Sequence, residues 1–157
     1  MMRRALTTAA LVALAACGDS GTDGADSRLR GTWGTSVPNA PGCVQALTFE
    51  GAEYEYDVIC PLTSGQHGIE VELGAFDARD GLIEFMPERA SCPNVSPETQ
   101  RMRYEFINGG DSLRLVEGSM LIVLDRIEQN EPTGGVVAAT GCFADDGAFE
   151  ERAPQGI

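Results

Sequence analysis

A two-residue alternation centred on Glu50-Gly51-Ala52-Glu53 constrains the fold of this chain more than any other feature. Glycine in the first place of a two-residue loop suits a type II′ turn, whose twist matches that of the strands it joins. Pairing Glu50 with Glu53 sets Phe49 opposite Tyr54, Leu47 opposite Tyr56, Gln45 opposite Val58 and Cys43 opposite Cys60, all on one side of the ribbon. Thr48, Glu53, Glu55 and Asp57 take the other side. An apolar face backed by an acidic one marks strands with one side buried and the other solvated. A lone ribbon of this kind is marginal in water, so the rest of the chain must supply further strands.

It does so by the same alternation. A second hairpin turns at Gly118-Ser119 and sets Leu115 opposite Ile122, Leu113 opposite Leu124 and Asp111 opposite Arg126. Before it, Met102, Tyr104 and Phe106 alternate with Arg101, Arg103 and Glu105, and Asn108-Gly109 is a strong turn signal. Ile69, Val71 and Leu73 alternate with Glu70 and Glu72, which places these two acids outside with Glu53, Glu55 and Asp57 as one acidic outer face. Ile83 and Phe85 continue the inward set, and Gly31–Ser36 provides a first strand. No stretch carries a helical stripe. Eight antiparallel strands in simple succession predict an all-β domain, closed as a small up-and-down barrel because closure removes exposed strand edges.

The start of the chain has a different character. Arg3 and Arg4 precede an apolar run from Ala5 to Ala16, which is far shorter than the ~20 residues of a membrane-spanning helix. This is the layout of an export signal. Leu14-Ala15-Ala16-Cys17 resembles the lipobox of bacterial lipoproteins, in which the cysteine is lipidated and becomes the new N-terminus. The resemblance implies a signal peptide over 1–16, lipidation at Cys17 and a membrane anchor. Ala13-Leu14-Ala15 also has the small-x-small form of a plain secretory cleavage site, so a soluble secreted form stays open. By the rule for enteric lipoproteins, Gly18 after the cysteine implies the outer membrane, facing the periplasm or the exterior. Gly18 to Ser27 is a Gly/Ser/Asp spacer without large apolar residues, so 17–27 reads as lipidated cysteine plus flexible tether. The barrel domain is expected over 28–128. The Gly/Ala/Pro-rich tail, 129–157, is expected to pack partly on it through Val136 and Val137 and to be poorly ordered beyond Cys142.

Charge limits the partners. Loss of 1–16 removes two arginines and no acid, which takes the formal charge from −13 to −15. An acidic chain without lysine argues against nucleic acid as a partner, since phosphate contacts need clustered Arg or Lys.

Gly31-Thr32-Trp33 at the head of an eight-strand meander resembles the Gly-x-Trp opening of lipocalins and their smaller lipocalin-like relatives. The resemblance implies that Trp33 closes one end of the barrel and packs against an arginine, for which Arg126 is the candidate, as a cation–π pair. It also implies a ligand-binding role. The chain departs from true lipocalins in its short strands and in having no helical pattern after them.

Setting Cys17 apart leaves Cys43, Cys60, Cys92 and Cys142, an even set that reads as two disulfides in an exported domain. The hairpin register favours Cys43–Cys60 and leaves Cys92–Cys142 to pin the tail, with Cys60–Cys92 as the rival pairing. No close Cys-x-x-Cys pair suggests a metal, and no metal or cofactor is expected. His67 reads as an exposed loop residue. No nucleophile elbow, phosphate loop or Ser/His/Asp constellation is present, so the chain is expected not to be an enzyme.

The remaining candidate site is the barrel interior. Gln45, Leu47, Phe49, Tyr54, Tyr56 and Phe85, with Tyr104 and Phe106, form its expected lining, and Val58, Val71, Leu113, Leu115 and Ile122 complete the inward set. Such a lining suits a small hydrophobic or amphipathic ligand. A short eight-stranded barrel filled by its own side chains is the competing reading. The functional expectation is a monomeric, lipid-anchored envelope protein that binds such a ligand. The alternative is a protein-interaction module, such as a periplasmic hydrolase inhibitor, acting through the loops at 61–68 and 90–99.

Overall fold

A computed structural model of the protein describes residues 26–93, 95–127, 138–143 and 148–157. The signal segment, Cys17, most of the expected tether, and Val136 and Val137 lie outside the described residues. Eight strands follow in order: Gly31–Ser36 (β1), Val44–Glu50 (β2), Glu53–Pro61 (β3), His67–Arg79 (β4), Leu82–Ala90 (β5), Gln100–Ile107 (β6), Ser112–Glu117 (β7) and Met120–Ile127 (β8). Each pairs antiparallel with the next, β8 returns to β1 with Trp33 opposite Arg126, and β4–β5 pairing completes the circuit. The domain is an all-β, closed, eight-stranded up-and-down barrel with two disulfides.

Turn chemistry sets the registers. Gly51 (φ 61) is followed by a residue with negative φ, as a type II′ turn requires, and the pairs Phe49–Tyr54, Leu47–Tyr56 and Gln45–Val58 follow from it. Gly118 (φ 57) does the same for Leu115–Ile122 and Leu113–Leu124. Asp80 and Gly81 both have positive φ and join β4 to β5.

One end of the barrel is shut. Asp26 caps a 3₁₀ turn at Ser27–Leu29, its side chain accepting the Arg28 N–H. Leu29 is driven under the end of the barrel, and its carbonyl accepts the Trp33 indole N–H at 2.7 Å. Trp33, Leu113 and Ile83 are fully buried, each worth roughly 1.5–3 kcal/mol or more in removal from water. Phe49 packs against Phe76 with the rings tilted and their centres 4.7 Å apart, and the Trp33 and Phe106 ring centres are 5.7 Å apart.

Three features depart from the sequence reading. The phase of β4 is inverted. Tyr56 pairs with Glu72 and Val58 with Glu70, so both acids share the inward side, while Val71 pairs with Asp57 on the outer side together with Ile69 and Leu73. Local hydrophobicity misleads here because the inward phase of this long strand is set by Phe76 and Ala78, which are buried further along it. His67 is the first residue of β4, half-buried, not an exposed loop residue. The tail, finally, is structured beyond Cys142. Ala138–Phe143 (β9) pairs parallel with the first residues of β4, Phe149–Glu151 (β10) pairs with β9, and Gln155–Gly156 (β11) pairs with the end of β5. β9 can add because β5 pairs with β4 only as far as Glu72, and β11 because β6 pairs with β5 only as far as Phe85; the tail covers the two edges so left open.

Candidate functional site

Toward the end opposite Trp33 the filling of the barrel stops. A cavity of about 230 Å³ remains, and it opens beside Met120, which is 44 % exposed at the β7–β8 turn. Leu47, Phe85, Met102, Leu115, Ile122 and Leu124 form its apolar floor and walls. Gln45, Tyr54, Tyr56, Glu72 and Gln100 converge on it as the polar groups. The cause is in the strands: at this end β2, β4 and β6 carry Gln45, Glu72 and Gln100 at inward positions, where the shut end has aromatic rings.

The polar groups are organised in pairs. The Tyr54 hydroxyl donates to Glu72 Oε1 at 2.6 Å, and the Tyr56 hydroxyl donates to Gln45 Oε1 at 3.0 Å. Burial, reinforced by the Glu72 charge, pushes the Tyr54 phenol well above its ordinary value. Burial also raises Tyr56, with Glu72 and Glu70 adding to the effect. Both phenols therefore remain protonated donors at neutral pH. Among the described residues no arginine lies within ion-pair distance of Glu72.

The expected lining divides in two. Gln45, Leu47, Tyr54, Tyr56 and Phe85 border the cavity, with Leu115 and Ile122. Phe49, Tyr104, Phe106 and Leu113 instead pack into the shut end or its edge, and Val71 faces outward. Sequence reasoning misses Glu72, Gln100, Met102, Met120 and Leu124 as lining residues. Parity could have found them: Glu72 lies in step with Phe76 and Ala78, Gln100 with Met102 and Tyr104, and Met120 with Ile122 and Leu124.

At the shut end the Arg126 guanidinium lies 4.1 Å from the Trp33 ring centre. It also donates to the carbonyls of Arg30 and Arg28 at 3.0 and 2.9 Å. The cysteines pair as Cys43–Cys60, with Cα atoms 4.2 Å apart, and Cys92–Cys142, at 5.0 Å. The first links the strands at the mouth, and the second ties β9 to the end of β5.

Two other groupings bear on chemistry. Glu70, Cys92 and Cys142 bring potential metal ligands together, but both sulfurs are joined in the disulfide and Glu70 Oε1 accepts the Phe143 N–H at 2.6 Å. On the outer face, burial and the Glu55 charge raise Asp57 to about 7, and its Oδ1 is buried without a hydrogen bond. The acidic outer face is thus smaller than expected, since Glu70 and Glu72 have turned inward.

Comparison of the chain with protein families, curated proteins and solved structures returns no match.

Proposed function

We propose that this protein is a non-enzymatic binding protein of the bacterial cell envelope, anchored by a lipidated Cys17, that holds a small hydrophobic or amphipathic ligand in the open half of its barrel. One observation carries the reading: a barrel that packs fully at one end keeps a cavity at the other, with apolar walls and a few convergent polar groups. That is the composition of a small-molecule site. At about 230 Å³ it is smaller than the ~300 Å³ at which drug-sized sites begin, so the ligand is small or leaves part of itself outside. The Gly31-Thr32-Trp33 opening and its Arg126 partner support the same reading by their likeness to lipocalins. Support for the anchor comes from the basic start, the short apolar run and Leu14-Ala15-Ala16-Cys17.

Native mass spectrometry of the protein purified from its own envelope tests the binding role. The expected result is a monomer carrying a small-molecule adduct that is lost on unfolding. An empty monomer that captures a protein would overturn it in favour of an interaction module working through the rim loops. Replacement of Cys17 by Ser should release the folded domain from membranes, and continued pelleting with membranes would refute the anchor.

A further inference from the structure

We propose that the cavity selects an organic cation, with an ammonium head held by Glu72 and a short apolar body in the barrel. The proposal rests on the binding role above and names the ligand class.

Glu72 is the charged residue of the cavity lining; the other polar groups there, Gln45, Tyr54, Tyr56 and Gln100, are neutral. Its Oε1 is engaged by the Tyr54 hydroxyl, which orients the carboxylate but does not neutralise it. No arginine among the described residues reaches it. A carboxylate facing an apolar cavity, with a neutral donor as its partner, favours a ligand that brings the missing positive charge, because low-dielectric walls strengthen the attraction. Glu88 is close enough to Tyr54 to add its negative potential to this end of the site. The aromatic rings of Tyr54, Tyr56 and Phe85 border the same space and suit a cation at close range. A fatty acid meets the opposite conditions: its carboxylate would be set against Glu72, with no cationic side chain among the described lining residues to receive it.

Size fits a modest body. A cavity of ~150 Å³ already accepts a benzene-sized molecule, and about 230 Å³ is available. The chain's formal charge of −13 adds a general field that favours cation entry.

Calorimetry with n-hexylammonium, 1-hexanol and hexanoate on the purified domain tests the proposal, with Glu72→Gln as the comparison. Glutamine keeps an acceptor for Tyr54 and removes the charge. The expected result is hexylammonium bound at least about tenfold more tightly than hexanol, hexanoate weakest, and the difference between amine and alcohol abolished in Glu72→Gln. Equal binding of amine and alcohol would overturn the charge selection and leave the barrel site standing. A preference that persists in a folded Glu72→Gln domain would remove Glu72 from the role. No binding of any of the three would overturn the barrel site itself, and the proposal with it.

Discussion

The guanidinium of Arg126 covers Trp33 at 4.1 Å while holding the carbonyls of Arg28 and Arg30, so one side chain joins the last strand of the barrel, its first strand and the segment beneath them. Replacing it with methionine keeps much of the apolar stem and removes the charge and the donors. Arg126→Met is expected to lower stability by ~1–2 kcal/mol in urea unfolding. Hydrogen exchange at the Trp33 indole should accelerate with it, since Leu29 loses its clamp.

Asp57 gives the fold a pH dependence. Its ordinary value of 3.8 is raised to about 7, so the folded state binds a proton that the unfolded chain releases over that interval. Stability contributed below pH ~4 is therefore lost as pH rises through about 7. Asp57→Asn should stabilise the domain at pH 8 by ~1 kcal/mol, given its partial contact with solvent. It should also flatten the part of the pH profile between 4 and 7 that Asp57 creates, read as thermal midpoints against pH.

Two glycines separate space from backbone conformation. A Cβ on Gly74 would run into the Met86 carbonyl oxygen and meet Tyr54 Cε1 at 2.9 Å, so β4 and β5 would have to part. Gly74→Ala is expected to cost ~2 kcal/mol or more. Gly51 has open space around it but a φ of +61, and Gly51→Ala should cost only ~1 kcal/mol. Denaturant midpoints of the two variants check the order.

The disulfides close loops of different length, with sequence separations of 17 for Cys43–Cys60 and 50 for Cys92–Cys142. Paired replacement by serine should cost ~3 kcal/mol for the first and ~4 kcal/mol for the second, if unfolded-chain entropy dominates. Equal losses in unfolding experiments would show that native-state contacts at the rim set the balance instead.

What could be read in the sequence follows the range of the interactions. Gly51 and Gly118 announce their turns locally, and once a turn is placed the pairing Phe49–Tyr54 or Leu115–Ile122 follows by counting. The disulfide Cys43–Cys60 is an extension of the same count. The phase of β4 is not local: Ile69, Val71 and Leu73 look like core residues, yet Phe76 and Ala78 decide which side goes in. The inward acids are then satisfied by partners that the sequence does not place beside them, Tyr54 for Glu72 and the Phe143 N–H for Glu70. The parallel pairing of Ala138 with His67 has no turn to signal it at all. Of the candidate site, the walls were legible and the charge was not.

The 3₁₀ turn capped by Asp26 enters the domain beneath Trp33, whereas Met120 and the cavity lie at the far end. Any attachment made through the residues before Asp26 thus grips the barrel by its base, as a cup is held by its foot. The opening then lies at the far end from that point, so a ligand enters without passing the place where the preceding chain joins the barrel.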